Sequence, residues 1–114
     1  MFADTIVIYT DGSFIKNKGG SKSGYGVYFP NKELPNISKK FTNMPLTNQR
    51  AELYAIYKGI KKVTQKYKFN RLEIYTDSVY SINSLTKWII SWKKNGWITT
   101  NNKEVLNQDI IKKI

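Results

Sequence analysis

The sequence contains neither cysteine nor histidine. Without thiols there is no disulfide framework and no thiolate metal site, which suits a reducing compartment. Without imidazole, the common zinc sites and the Ser–His and Cys–His nucleophile pairs are excluded as well. Acid–base or metal chemistry must come from carboxylates, lysines, tyrosines or water. Carboxylates are themselves scarce: eight Asp and Glu stand against nineteen Lys and Arg, a formal charge of +11. No apolar run approaches the ~20 residues that span a bilayer. The opening MFADTIVIYTDGS has neither the basic stretch nor the long apolar stretch of a secretory signal. The expectation is a soluble, intracellular protein, cytoplasmic or nuclear, that is not embedded in a membrane.

With 40% apolar and 24% charged residues the composition is that of a globular chain, and 114 residues are read as one domain, 1–114, with a sizeable core. The positive excess favours a polyanionic partner, nucleic acid first and an anionic membrane surface second. Seventeen of the nineteen cations are lysine, however, and Asn and Ile are abundant too. A solubility charge or an AT-rich coding sequence would yield the same surplus, so charge indicates a class of partner without proving it.

Thr5–Thr10 (TIVIYT) is β-branched and aromatic and predicts a strand ending in a turn at Asp11-Gly12-Ser13. Ile15–Ser23 is rich in Gly and Lys and predicts a loop. Gly24–Phe29 and Ile37–Phe41 predict two further strands of a meander. From Thr47 or Asn48 to about Tyr67, Ala51, Leu53, Ile56, Ile60 and Val63 recur at helical spacing. Arg71–Thr76 predicts a strand, Ser78–Leu85 and Lys87–Asn95 two short helices stopped by Gly96, and a last helix starts at Asn102 or Lys103. The order β-β-β-α-β-α-α-α implies a mixed α/β fold, in which three antiparallel strands and a parallel one form a sheet flanked by helices.

Two strand ends carry nearly the same punctuation, IYTDGS ending at Ser13 and IYTDS ending at Ser78. If those strands are neighbours, Asp11 and Asp77 lie side by side at one end of the sheet. Glu52, placed in the first turn of the long helix, can point back toward them. Three clustered carboxylates raise one another's pKa, and a hard divalent cation such as Mg²⁺ or Mn²⁺ removes that penalty. Two such ions ~3.5–4 Å apart can drive hydrolysis of a phosphodiester. Singly, each residue has a plainer explanation: an aspartate after a strand forms turns, and a glutamate near a helix start serves the macrodipole. The triple, together with the positive charge elsewhere, favours a metal site. Asp4, Glu33, Glu73, Glu104 and Asp109 are read as solvated or capping residues.

YTDGS at 9–13, TNQRAEL at 47–53, YTDS at 75–78 and the stretch from Trp88 to Trp97 occur in this order and spacing. In these pieces the chain resembles the type 1 ribonucleases H of the cellular kind, from about Ile6 to the last helix. The resemblance implies a five-stranded mixed sheet with helices and endonucleolytic hydrolysis of the RNA strand of RNA/DNA hybrids. It implies two Mg²⁺ ions, with Mn²⁺ able to substitute, and Asp11, Glu52 and Asp77 as catalytic and metal-binding acids. By the same resemblance Asn17, Asn48 and Gln49 contact the RNA strand, where 2′-hydroxyls distinguish it from DNA. Thr47 and Asn107 match part of a pocket for a DNA phosphate, whose usual arginine is replaced by Pro45. Trp88, Trp92, Lys93, Lys94 and Trp97 resemble a basic protrusion that holds the DNA strand, and Tyr80 matches an aromatic in the same channel. Aromatic faces beside lysines suit that task; the alternative is that the tryptophans are core. Trp97 is expected to be partly structural, Trp88 and Trp92 partly exposed.

Cellular members of the family continue with a fifth strand and a helix bearing a fourth metal-binding acid, and neither is seen before Ile114. Three explanations stand: a fragment of a longer enzyme or polyprotein, completion by a second chain or copy at an open sheet edge, or a short form that binds hybrids or duplexes without cutting them.

Overall fold

The computed structural model describes residues 2–17, 19–99 and 102–114, the side chain of Asn17 aside. β1 (Phe2–Asn17), β2 (Gly20–Tyr28) and β3 (Ile37–Lys40) form an antiparallel meander, and α1 (Asn48–Lys66) crosses to β4 (Lys68–Tyr75). β4 pairs parallel with β1, so the sheet order is β3-β2-β1-β4. The mixed sheet expected from the order of elements is therefore present. β1, β2 and β4 run further than the sequence predicts, while β3 stops one residue short of Phe41. β1 does not end at Thr10 but continues through Asp11, Gly12 and Ser13, each paired with β2, so the expected turn is strand. The expected loop at 15–23 is likewise the end of a long hairpin, with Asn17 opposite Gly20.

Alternation sets which face is buried. Ile6, Ile8 and Thr10 of β1 and Tyr25 and Val27 of β2 point under α1 and are buried. Tyr9, Tyr28 and Tyr75 are exposed and lie in one row, with Tyr9 stacked on Tyr75 at 5.1 Å and tilted to Tyr28 at 6.3 Å. α1 reaches the sheet closely because Ala51, Ala55 and Gly59 recur every four residues and are buried. A Cβ on Gly59 would lie 2.7 Å from Ile8 Cδ1. Thr47 caps the helix by accepting from the Arg50 N–H at 3.1 Å.

After β4 one continuous winding runs from Val79 to Lys94: α2 (Val79–Asn83), a π-helical turn (Ser84–Trp88) and α3 (Ile89–Lys94). The two separate helices of the sequence reading are thus joined. At the wider turn the Thr86 hydroxyl donates to the Ile82 carbonyl at 2.6 Å. The last helix is shorter than expected. α4 is only Gln108–Ile111, because Asn102 and Asn107 adopt positive φ and interrupt the helix. The chain before it instead folds back, with Val105 N–H donating to Trp97 O at 3.0 Å and Thr99 N–H to Lys103 O at 2.7 Å. Val105, Ile110 and Ile111 are buried as the apolar pattern requires, while Leu106 is exposed. Among the described residues no helix is long and apolar enough to cross a membrane.

The tightest contact lies at Gly12, where an added Cβ would be 2.5 Å from the Ala51 carbonyl carbon and closer still to the Glu52 nitrogen. Those are backbone atoms and cannot swing aside. Gly12→Ala is expected to destabilise the fold by about 1–3 kcal/mol or more, measured as a lowered midpoint in thermal unfolding. An unchanged midpoint would mean that α1 does not press on β1 here.

Candidate metal centre and nucleic-acid interface

The parallel register fixes two of the three acids. Tyr9 pairs with Tyr75, so Asp11 and Asp77, each two residues further on, emerge next to each other. Asp11 accepts a hydrogen bond from the Gly12 N–H at 3.0 Å. Asp77 follows the end of β4, where Thr76 Oγ1 accepts from the Ser78 N–H at 3.1 Å and Ser78 caps α2. The third acid comes from α1. With Thr47 as N-cap, the first turn holds no acidic residue, so Glu52 belongs to the second turn and not the first. A role at the helix dipole is correspondingly weak. What places Glu52 is Gly12, which lets the helix backbone lie against β1.

One carboxylate oxygen from each of Asp11, Glu52 and Asp77 lies within 4.8 Å of the others. Asp11 and Asp77 are exposed, whereas Glu52 is only 4% exposed. Its Oε2 is buried and has no hydrogen-bond partner. Burial pushes the Glu52 carboxyl up to about 7; the neighbouring Gly12 N–H opposes this, and the charges of Asp11 and Asp77 add to it. A buried carboxylate with one oxygen lacking a donor, clustered with two exposed carboxylates, fits a hard cation with oxygen ligands. These three residues can hold a divalent metal ion.

The expected nucleic-acid contacts fall into three places. Asn48 and Gln49 are exposed on the first turn of α1, one turn before Glu52. Asn17 ends β1, and its side chain lies outside the described residues. Thr47, Tyr80 and Asn107 come together through Arg50: Asn107 Nδ2 donates to Tyr80 Oη at 3.1 Å, and its Oδ1 accepts from Arg50 Nη1 at 3.3 Å. Arg50 is buried and grips both oxygens of Asp109 at 2.8 Å. That hydrogen bonding holds the Asp109 carboxyl below its ordinary range. Asp109 is therefore no free surface acid; it anchors α4 to the start of α1. Composition alone does not mark Arg50, although it is one of only two arginines among nineteen cations, and a bidentate clamp is what arginine does better than lysine.

The third place is the aromatic and basic stretch. Tyr80, Trp88, Trp92 and Trp97 follow one another with ring centroids 5.9, 5.9 and 6.3 Å apart. Trp92 and Trp97 pack partly buried against the core cluster of Leu53 and Ile110. Trp88 is 40% exposed, and Lys93 and Lys94 are exposed at the end of α3.

The raised Glu52 carboxyl gives a pH signature. Its ordinary value is 4.5 and its folded value about 7, so between them the folded state binds more protons than the unfolded one. In metal-free buffer, stability should fall as pH rises through that window, by on the order of 3 kcal/mol. Glu52→Gln should remove the dependence, and a divalent cation should reverse it. Thermal unfolding against pH with and without cation measures both. A flat profile for the parent chain would contradict the burial assigned to Glu52.

Known proteins agree with this architecture. Ribonuclease H1 of Homo sapiens is 39% identical over 107 residues, which cover 93% of this chain and 37% of that protein. A ribonuclease H of Schizosaccharomyces pombe is 42% identical over 110 residues, covering 96% of this chain and 40% of its own length. This chain thus spans well under half of either relative. Among solved structures, the foamy viral protease-reverse transcriptase in complex with RNA/DNA hybrid superposes with a TM-score of 0.78 at 26% identity, covering 95% of this chain and 15% of that one. The RNase H family profile matches residues 3–114, and the chain belongs to the ribonuclease H family.

Proposed function

We propose that this chain carries the cleavage centre of an endonuclease that hydrolyses the RNA strand of RNA/DNA hybrids, with Asp11, Glu52 and Asp77 as catalytic acids. The observation that supports it most is the convergence of one carboxylate oxygen from each of the three residues within 4.8 Å, in a cluster where Glu52 Oε2 is buried and unpartnered. Two Mg²⁺ ions, or Mn²⁺ in their place, would supply the activation of water and the stabilisation of the leaving oxygen. The residues of the chain bind and orient the substrate. Asn48 and Gln49, exposed one turn before Glu52, have amides that donate and accept, as reading a 2′-hydroxyl requires; Asn17 is assigned the same task.

The DNA strand is given to the residues around Arg50 and to the tryptophans. Asn107 is held by Arg50 and Tyr80, which fixes its amide orientation and leaves one N–H of Nδ2 for a phosphate oxygen. Thr47 lies on the same network through its cap of Arg50. Trp88 and Trp92 would receive the sugar-phosphate chain across their faces, with Lys93 and Lys94 drawing its charge. Residues 1–114 act as one domain on this reading. The edge strand β4, at the end of the sheet order, is where a further strand from another segment, a second chain or another copy would pair.

The test is cleavage of a hybrid labelled on its RNA strand, with Mg²⁺ present. Asp77→Asn is expected to lower the rate on the order of 10²-fold or more, while Glu104→Gln, an acid outside the cluster, leaves it unchanged. Hybrid binding with no scission by the parent chain would make it a binding module instead. Equal cleavage by parent and Asp77→Asn would remove the carboxylates from the reaction.

A further inference from the structure

We infer that the chain carries a second polyanion site, a lysine-walled groove between β3 and the C-terminal half of α1 that takes a nucleic-acid phosphate backbone away from the acid cluster. The groove encloses about 410 Å³. Lys39 of β3 forms one wall, and Lys58, Lys61, Lys62 and Lys66 of α1 form the other. No carboxylate lines it. Among the described residues the ion pairs are Arg50–Asp109 and Arg71–Glu73, so none of these lysines is neutralised by an acid. The acid nearest in sequence to β3, Glu33, lines a different hollow with Lys32.

Several of the ammonium groups are held in place. Lys58 Nζ lies 5.6 Å from the Tyr54 ring centroid, and Lys61 Nζ lies 5.8 Å from that of Tyr57. Lys113 reaches the same Tyr57 ring at 5.8 Å, and Lys62 donates to the Pro35 carbonyl at 3.3 Å. Aromatic faces stabilise these cations, and nothing buried in the groove demands them. Lys58, Lys62 and Lys66 recur every four residues, about 6 Å apart along the helix. That is close to every second charge of a strand with one phosphate per ~3.4 Å. A concave site with lysines on two facing walls admits a strand better than a flat bilayer, and no exposed large apolar side chain lines it for insertion.

The groove is separate from the acids. At about 1.5 Å per residue, Lys58 to Lys66 lie roughly 9–21 Å along α1 from Glu52. The site therefore adds to the proposed cleavage centre without sharing a residue with it.

Binding measured in EDTA keeps the acid cluster out of the readout, so failure here and failure of the nuclease reading are distinguishable. Fluorescence anisotropy of a labelled hybrid, at least as long as α1 (about 28 Å, or roughly 8 base pairs), is recorded at several salt concentrations. Lys58→Ala/Lys61→Ala/Lys66→Ala should make the slope of log K against log salt shallower by about 2–3 units, with affinity at least about tenfold weaker at low salt. Lys39→Ala on the facing wall should remove about one unit. Single-stranded RNA and DNA, run in parallel, show which form of backbone occupies the groove; a reduced slope on any of the three supports the site. Thermal unfolding confirms that the variants are folded. Parent-like slopes in both variants on all three ligands would overturn the inference. So would loss of adsorption to phosphatidylserine vesicles with nucleic-acid binding intact, which would assign the groove to a membrane.

Discussion

The backbone of α1 passes β1 at Gly12 with no room for a side chain between them, and the geometry of the acid cluster follows from that approach. Lifting the helix by the width of a methyl group would carry Glu52 away from Asp11 and Asp77. The parallel pairing of β1 with β4 does the rest, because it brings the two Ile-Tyr-Thr-Asp runs into register. Ala51, Ala55 and Gly59 keep the approach close along the helix. Small residues here do the work that large apolar ones do elsewhere in the core.

Electrostatics then separate the molecule into two kinds of surface. Three of the eight acids of a chain with formal charge +11 are gathered at one point. There burial and mutual repulsion hold Glu52 near 7, a disfavoured state that a divalent cation would relieve. A fourth acid, Asp109, is consumed in clamping Arg50. Among the described residues the lysines form no ion pair with an acid; several lie over tyrosine rings, and two end α3. Stability rests instead on apolar burial of Ile6, Ile8, Val27 and Phe29 against Val63 of α1, each worth about 1.5–3 kcal/mol when fully buried.

Much of this was legible before any coordinates. The period-two runs ending at Asp11 and Asp77 and the apolar spacing of α1 reveal elements whose type depends on local pattern. What the pattern could not show is long-range. Asp-Gly-Ser reads as a turn locally, yet pairing with β2 keeps it in the strand. The tail reads as a helix from Asn102, but two asparagines at positive φ and the return of Val105 to Trp97 shorten it to four residues. Asp109 looks solvated until Arg50, 59 residues earlier, is found against it. The reason Gly12 must be glycine is invisible in the sequence, since the atoms it would strike belong to another element.

The proposed cleavage centre requires that Asp11, Glu52 and Asp77 share a divalent cation. Anomalous scattering from a crystal of this chain soaked in Mn²⁺ tests it most directly. A peak in contact with oxygens of all three residues is expected, and its loss in Asp11→Asn. Manganese bound only elsewhere, with the three carboxylates turned apart and the cluster empty, would contradict it.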